Sequence, residues 1–373
     1  MKQKMLWILV LAVGLLGGNA LGDENNVTAK NSRSLLLSGR VQLQHLYSDQ
    51  FKAEDNVTNN GFRMRRLRVQ LDGKLNDFVS GAIQFEIRDN SPNLKDGYLT
   101  IKLFNNYYLR GGQFKVPVWR EEFIRSSGSL LLVERSSASA FLLLTLLSGR
   151  QVGAEFGGDL TKQLSFIFNY SNGAGEGFHE LTRSKSFNQN NGKMFTGRLD
   201  FNLNKAFKIG VSGAANNLGN KIAGTDSTGS QVIFDDTGTN QVISPDFGIY
   251  LGNFDVEGGI GFGKISKNFG KEVFDLDLTE DVDFTVADLT GRWKTKLSQS
   301  IATLGGVDAV EFAAGVSYIN TRVEASNERL TYRFGPAIYF GSKTRLQVNG
   351  EFVDFTGDTK SITRIRSQFT LNL

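Results

Sequence analysis

The chain has 373 residues, with 42 Lys+Arg against 38 Asp+Glu, 42 Gly, four Pro, two His and no Cys. Without cysteine there is no disulfide framework, zinc–thiolate cluster or cysteine nucleophile, and two histidines leave little for a metal centre, so we expect no metal and no cofactor. This length is typical of two soluble domains or of one large all-β unit.

The first 22 residues have the features of a secretory signal. Two lysines precede an apolar run from Met5 to Leu16, and Ala20 and Gly22 supply small residues before a cleavage site. The run is too short to cross a bilayer comfortably, since a spanning helix needs about 20 apolar residues, and no run of that kind recurs. We therefore predict cleavage after Gly22, a periplasmic segment over 23–35, and strands as the only way for the mature chain to cross a membrane.

From residue 36 onward, apolar and polar residues alternate with the period of a β-strand. In the segment 193–203, for example, Phe195, Leu199 and Phe201 share one face, while Thr196 and Arg198 share the other. The pattern predicts sixteen strands at 36–47, 62–74, 79–88, 95–103, 107–113, 150–160, 163–170, 193–203, 206–215, 246–252, 254–264, 284–296, 309–320, 329–340, 343–353 and 363–373.

The connections between these segments alternate between short turns and long loops, which is typical of a transmembrane barrel. Among the connections on the short side, only 297–308 breaks this rule. We predict an all-β fold, a 16-stranded antiparallel transmembrane β-barrel over 36–373. A soluble sandwich or propeller also alternates and is the rival fold. Aromatic residues near strand ends, such as Tyr47 and Phe340, favour the membrane barrel.

The longest connection, 114–149, is the third on the outer side and carries two apolar stretches, Leu130 to Val133 and Phe141 to Leu147. Such stretches are unusual in a solvated loop. We predict that this long third outer loop folds into the lumen, packs against the wall and forms a constriction. An extracellular lid or a contact with another subunit is the alternative.

A barrel of sixteen strands is wide enough for a water-filled channel, so its function is expected to depend on lumen charge. Arginine presents a fork that matches phosphate and carboxylate, and rings of such cations select anions. Carboxylates such as Glu86, Asp96 and Glu134 could neutralise part of this charge. The cations predicted to face the lumen or to lie in the folded loop, mostly in the first half of the chain, are Arg40, Arg66, Arg68, Arg88, Arg110, Lys115, Arg120, Arg125, Arg135, Arg150 and Arg198.

Several of these cations lie in motifs that together resemble a known family, the phosphate-selective porins of the O and P type. The motifs are Gly61 to Val69, Gly112 to Pro117, Glu134-Arg135, Gly149 to Gly153, Asn172-Gly173 and Gly197 to Leu199. The resemblance covers essentially the mature chain. It implies a trimeric sixteen-stranded outer-membrane channel with the third outer loop folded in and a basic lumen that passes phosphate-like anions.

The predicted function is therefore passive diffusion of small anions, such as phosphate or polyphosphate, across the bacterial outer membrane. The expected partners are outer-membrane lipid, further copies in a homotrimer and the outer-membrane assembly machinery, but not nucleic acid. A general small-solute porin without phosphate selectivity is the first alternative. An outer-membrane hydrolase is the second, although neither His45 nor His179 has a Ser or Asp partner at a recognisable spacing.

Overall fold

The computed structural model describes residues 33–50, 59–88, 91–181, 191–219, 221–225, 228–234, 238–322, 328–356 and 359–373. The predicted signal over 1–22 and most of the predicted segment over 23–35 lie outside these residues. In the part of the chain that is described, no helix has the length and apolar character needed to cross a membrane.

Sixteen strands of the described residues form one closed antiparallel sheet, and two shorter strands form a separate hairpin. The strands are β1 (Ser34–Ser48), β2 (Asn59–Lys74), β3 (Val79–Arg88), β4 (Ser91–Lys102), β5 (Tyr108–Lys115), β6 (Arg150–Asp159), β7 (Leu164–Ser171), β8 (Met194–Asn202), β9 (Phe207–Leu218), the hairpin strands β10 (Lys221–Thr225) and β11 (Gln231–Phe234), β12 (Gly238–Leu251), β13 (Phe254–Ile265), β14 (Val282–Ile301), β15 (Val307–Asn320), β16 (Arg329–Tyr339), β17 (Thr344–Phe355) and β18 (Ile362–Asn372).

Closure comes from β1, which pairs with β18 from Arg40 opposite Asn372 to Ser48 opposite Arg364. Because the first and last strands pair, the sheet has no free edge, and backbone groups that lipid could not satisfy are bonded within the sheet. The predicted sixteen-stranded antiparallel barrel is confirmed.

The two faces of the barrel are inverted relative to a soluble protein. On β8, Phe195, Leu199 and Phe201 are exposed, whereas Thr196 and Arg198 are each 2% exposed. The outward apolar row suits a hydrocarbon environment, and the inward polar row surrounds the interior. The period-two pattern thus assigned the two faces of this strand correctly.

Two predicted boundaries were wrong. The apparent long turn over 297–308 is shorter, because β14 continues to Ile301 and β15 begins at Val307. The predicted strand 246–252 begins earlier, at Gly238. Pro245 lacks an N–H and suggests a break, but pairing with β13 is interrupted between Ile243 and Asp246, so the strand accommodates the proline. The hairpin of β10 and β11 was not predicted.

A β-bulge interrupts the alternation of β2. Gln42 of β1 is opposite Arg66, but the next residue, Leu43, is opposite Met64, so Arg65 is the extra residue. A bulge reverses the parity of the residues beyond it. As a result Arg65 and Arg66, although adjacent in sequence, both contact interior groups: Arg65 bonds Glu134, and Arg66 bonds Gln42.

We expect a charge on the outward row to destabilise the barrel. Leu199→Lys places an ammonium group in hydrocarbon near the middle of β8, which costs about 2–4 kcal/mol of unfolding free energy near the bilayer midplane. Urea unfolding in lipid vesicles measures this, with Leu199→Ala as the control that shortens the side chain without adding charge. Equal stability of the two variants would contradict the assignment of the outward face.

Candidate permeation site

The connection between β5 and β6, which we call the 116–149 segment, has its own apolar core. It contains two short helices, α1 (Arg120–Ile124) and α2 (Ser137–Leu144). Val116, Leu142 and Leu147 are completely buried, in one cluster with Phe284 and Val286 of β14. The second apolar stretch, Phe141 to Leu147, is therefore mostly covered by packing against residues of the barrel wall, and Leu130 to Val133 are buried as well.

The backbone of the 116–149 segment is hydrogen-bonded to polar side chains of β17. Arg345 Nη1 donates to Leu130 O at 2.9 Å, and Gln347 Nε2 donates to Leu131 O at 3.3 Å. In the opposite direction, the amide of Val133 donates to Asn349 Oδ1 at 2.6 Å. Residues 345, 347 and 349 alternate along one face of β17, so this face holds an extended piece of the segment.

Ser127 connects the same segment to β1 and β2. Its carbonyl oxygen accepts from Gln42 at 3.0 Å, and its hydroxyl oxygen accepts from Arg40 at 2.8 Å and from Arg68 at 3.1 Å. Arg40, one of the predicted lumen cations, also donates to Asn372 at 2.7 Å. The structure therefore uses Arg40 to tether the segment.

Three of the predicted cations are held by carboxylates of β8, β12 and β13. These strands lie across the barrel from β1 and β2, and we call them the opposite wall. Arg198 bonds Asp246 at 2.6 Å and Asp200 at 2.7 Å. Arg120 also reaches Asp246, at 3.2 Å, and Arg125 forms a two-pronged pair with Glu257 at 2.9 Å. This wall is a network of ion pairs with little charge left over for a passing anion.

Lys115 and Arg110 are also paired. Lys115 lies 3.2 Å from Glu122, which Arg135 contacts as well. Burial raises the pKa of Glu122, but the charges of Arg135 and Lys115 outweigh it and the pKa falls below its usual value. Arg110 lies 3.0 Å from Glu155 and stands 4.7 Å from the ring centre of Tyr98, a cation–π contact.

The remaining cations gather around one cavity of about 520 Å³. It lies towards the end of the barrel where β2 begins and β17 ends, which we call the outer end. Its lining holds five carboxylates, Glu86, Glu122, Glu134, Glu176 and Glu351. Against them stand twelve cations, an excess of seven positive charges: Arg63, Arg65, Arg66, Arg68, Arg88, Lys95, Arg135, Arg150, Arg329, Arg333, Arg364 and Arg366.

Of the predicted site residues, the structure brings Arg66, Arg68, Arg88, Arg135 and Arg150 together at this cavity. Arg40, Arg110, Lys115, Arg120, Arg125 and Arg198 do not line it. The residues that were missed are Arg63, Arg65, Lys95, Arg329, Arg333, Arg364 and Arg366. Two signals could have found most of them. Adjacent arginines in one strand can both face the lumen only if the strand has a bulge. Closure of the barrel brings the last strands beside the first two.

Glu134 is the carboxylate most tightly held in the cavity. Arg65 grips it with two hydrogen bonds, of 2.5 and 3.0 Å. Burial opposes its ionisation, but these bonds and the charges of Arg65 and Arg66 hold the pKa of Glu134 well below its usual range. The carboxylate is therefore ionised near neutral pH and is already committed to its arginine partner.

Other cations of the cavity keep donors free. Arg333 is 4% exposed, and only its Nη1 is engaged, with Glu134 O at 2.7 Å. Its Nε and Nη2, like Nε of Arg329 and of Arg366, have no hydrogen-bond partner among the described residues. Buried donors without partners are costly, so these groups favour an anion that accepts from them.

Comparisons with known proteins agree with this fold. The sequence profile of the family described as phosphate-selective porin O and P matches residues 37–229. The fold is similar to that of an anion-selective porin from Comamonas acidovorans, with a TM-score of 0.62 and 12% identity over 92% of this chain and 100% of that one. No curated protein matches the sequence.

Two further solved structures share the fold. OmpT of Vibrio cholerae, described as a trimer form, has a TM-score of 0.60 and 11% identity over 92% of this chain and 100% of that chain. The outer-membrane channel DcaP of Acinetobacter baumannii has a TM-score of 0.60 and 12% identity, over 92% and 99% of the two chains.

A closed barrel of sixteen strands with lipid-facing apolar rows and a charged interior defines a porin, a channel of the bacterial outer membrane and not an enzyme. The chain belongs to the phosphate-selective porin O and P family.

We expect the ion pairs of the opposite wall to be structural. Arg198→Gln leaves Asp246 buried without its closest partner, since both side chains are 0% exposed, and breaking a buried pair costs about 3–5 kcal/mol of unfolding free energy. Lys74→Gln is the matched control, because its pair with Asp77 is exposed (45% and 47%) and contributes at most about 1 kcal/mol. Denaturant titration in detergent compares them; equal losses would refute the structural role.

Proposed function

We propose that this porin conducts small inorganic anions by passive diffusion and that the cavity at the outer end is the site where they are selected. The observation that carries the proposal is the excess of seven positive charges around one cavity of about 520 Å³. A cleft lined by charge of one sign raises the local concentration of counter-ions and excludes ions of the same sign.

The chemistry of the cavity suits oxyanions. Guanidinium groups donate two parallel hydrogen bonds to phosphate or carboxylate, and Arg329, Arg333 and Arg366 have donors that no group in the described part of the chain accepts from. These donors replace part of the water that an entering anion loses. Phosphate or a phosphate-like anion is the substrate that this donor set and the family membership favour.

A second basic region lies next on the path of the anion, near the end of the barrel where short turns join β2 to β3 and β4 to β5. A cavity of about 610 Å³ is lined there by Lys74, Lys102 and Arg110, against the carboxylates Asp72 and Asp77. Its charge excess is smaller than that of the outer cavity. A decreasing series of weak sites lets an anion leave the tighter region and not remain bound.

We also propose that the 116–149 segment lies across the lumen and forms the constriction. Its hydrogen bonds to Gln42 of β1 and to Arg345, Gln347 and Asn349 of β17 support this, as does its apolar packing against β14. The segment carries Glu134, Arg135 and α2 to the edge of the cavity. A constriction fixed by this many contacts has a constant width.

Neutralising two cations of the cavity should reduce anion preference. Arg329→Gln with Arg333→Gln removes two charges whose donors are partly free, and a charge about 8 Å from a passing ion contributes about 0.5 kcal/mol in water. The two charges together contribute about 1 kcal/mol, so we expect the anion-over-cation permeability ratio to fall about fivefold, measured from reversal potentials in planar bilayers under a salt gradient.

The control is Lys264→Gln, whose ion pair with Asp281 is solvent-exposed (42% and 47%) and does not line the cavity. It should leave the ratio unchanged. Cation preference in the unmodified porin would refute the proposed anion channel. Anion preference without any competition by phosphate against chloride current would instead support a general porin that lacks phosphate selectivity.

The same proposal includes export and assembly: cleavage after Gly22, insertion by the outer-membrane assembly machinery and association into a homotrimer. The similarity to a porin described as a trimer supports the last of these, and the signal features of the first 22 residues support the first. Native mass spectrometry of protein extracted from outer membranes should give three copies of a chain that begins at Asp23. A monomer, or a chain that retains Met1, would contradict the corresponding step.

A further inference from the structure

The outer cavity is not lined by charge alone. Four of its lining residues are apolar: Ala140 and Leu143 of α2, and Val353 and Phe355 of β17. They share the same 520 Å³ space with twelve cations. Hydrated inorganic ions gain nothing from an apolar surface. The passage of phosphate therefore does not explain these four side chains.

The register of the wall places the apolar and cationic residues side by side. On neighbouring strands, Arg329 is opposite Phe355, and Arg333 is opposite Glu351 four residues further along each strand. Cα atoms of paired residues lie about 4.5–5.5 Å apart. A molecule that contacts β16 and β17 here therefore meets the guanidinium group of Arg329 directly beside the aromatic ring of Phe355.

The opposite apolar contribution comes from the free side of α2. The helix buries Ala138 and Leu142 in the apolar core of the segment. Leu143 is 45% exposed and lines the cavity. An exposed leucine has unfavourable contact with water that a ligand with an apolar part can remove.

We infer that the outer cavity binds organic anions, in which an anionic head group is joined to a compact apolar body such as a phenyl ring. The head group accepts hydrogen bonds from Arg329 and Arg333, and the body contacts Leu143, Val353 and Phe355. This inference rests on the proposed anion channel, and it adds a substrate class that inorganic phosphate does not represent.

The dimensions agree with this assignment. Small-molecule sites have volumes of about 300–1,000 Å³ and combine apolar walls with a few placed polar groups. The cavity volume of about 520 Å³ lies within this range. It leaves room for an aromatic anion beside ordered water, so binding is compatible with passage.

Two phosphonates with the same head group test the inference. Phenylphosphonate and methylphosphonate differ mainly in the apolar body, and each is titrated against the chloride current of the porin in planar bilayers. We expect phenylphosphonate to block at a concentration about tenfold lower, a ratio that corresponds to about 1.4 kcal/mol. Equal blocking concentrations in the unmodified porin would overturn the inference without any variant.

Variants assign the effect to the cavity. Leu143→Ser with Phe355→Ser should bring the two blocking concentrations together, while the reversal potential keeps its anion preference. Leu144→Ser is the matched control, because this neighbouring leucine is 74% exposed and does not line the cavity. A phenyl preference that survives the double variant, or that Leu144→Ser abolishes equally, would refute the assigned contacts. If the unmodified porin shows no preference for anions, the proposed anion channel itself is refuted.

Discussion

Every backbone amide and carbonyl in the hydrocarbon layer has to be bonded within the protein, and the pairing of β1 with β18 is the contact that meets this requirement. Without it, two strand edges would face lipid. Closure also brings the two ends of the chain together, so that arginines of β2 and arginines of β16 and β18 line the same space. The charge concentration of the outer cavity is thus a consequence of closing the sheet.

The 116–149 segment contacts the barrel through two different sides. One side is apolar and packs on Phe284 and Val286, which replace polar residues on the inward row of β14. The other side presents backbone groups to Arg345 and Asn349. The wall and the segment therefore match locally, apolar against apolar and donor against acceptor, which fixes the segment without a covalent link.

The barrel could be predicted because a strand that separates lipid from water must alternate, and alternation is visible in residues such as Phe195 to Phe201. The extension of β12 past Pro245 was hidden, because the ladder there skips residues in a way that only the neighbouring strand reveals. The fate of individual cations was also hidden: Arg198 and Arg66 look alike in sequence, but Arg198 meets Asp246 from four strands later in the chain. The partner of a side chain across two strands depends on the pairing register, and the sequence of one strand alone does not determine that register.

The bulge at Arg65 gives β2 a property that no uninterrupted strand has. On its inner side the even-numbered residues face the lumen, and on its outer side the odd-numbered ones do, so Arg63, Arg65, Arg66 and Arg68 all contribute to one surface. The bulge thus raises the number of arginines of β2 that face the lumen. If the same sequence were paired without the bulge, the outer part of β2 would turn inside out, exchanging Arg63 and Arg65 with Phe62 and Met64 across the wall.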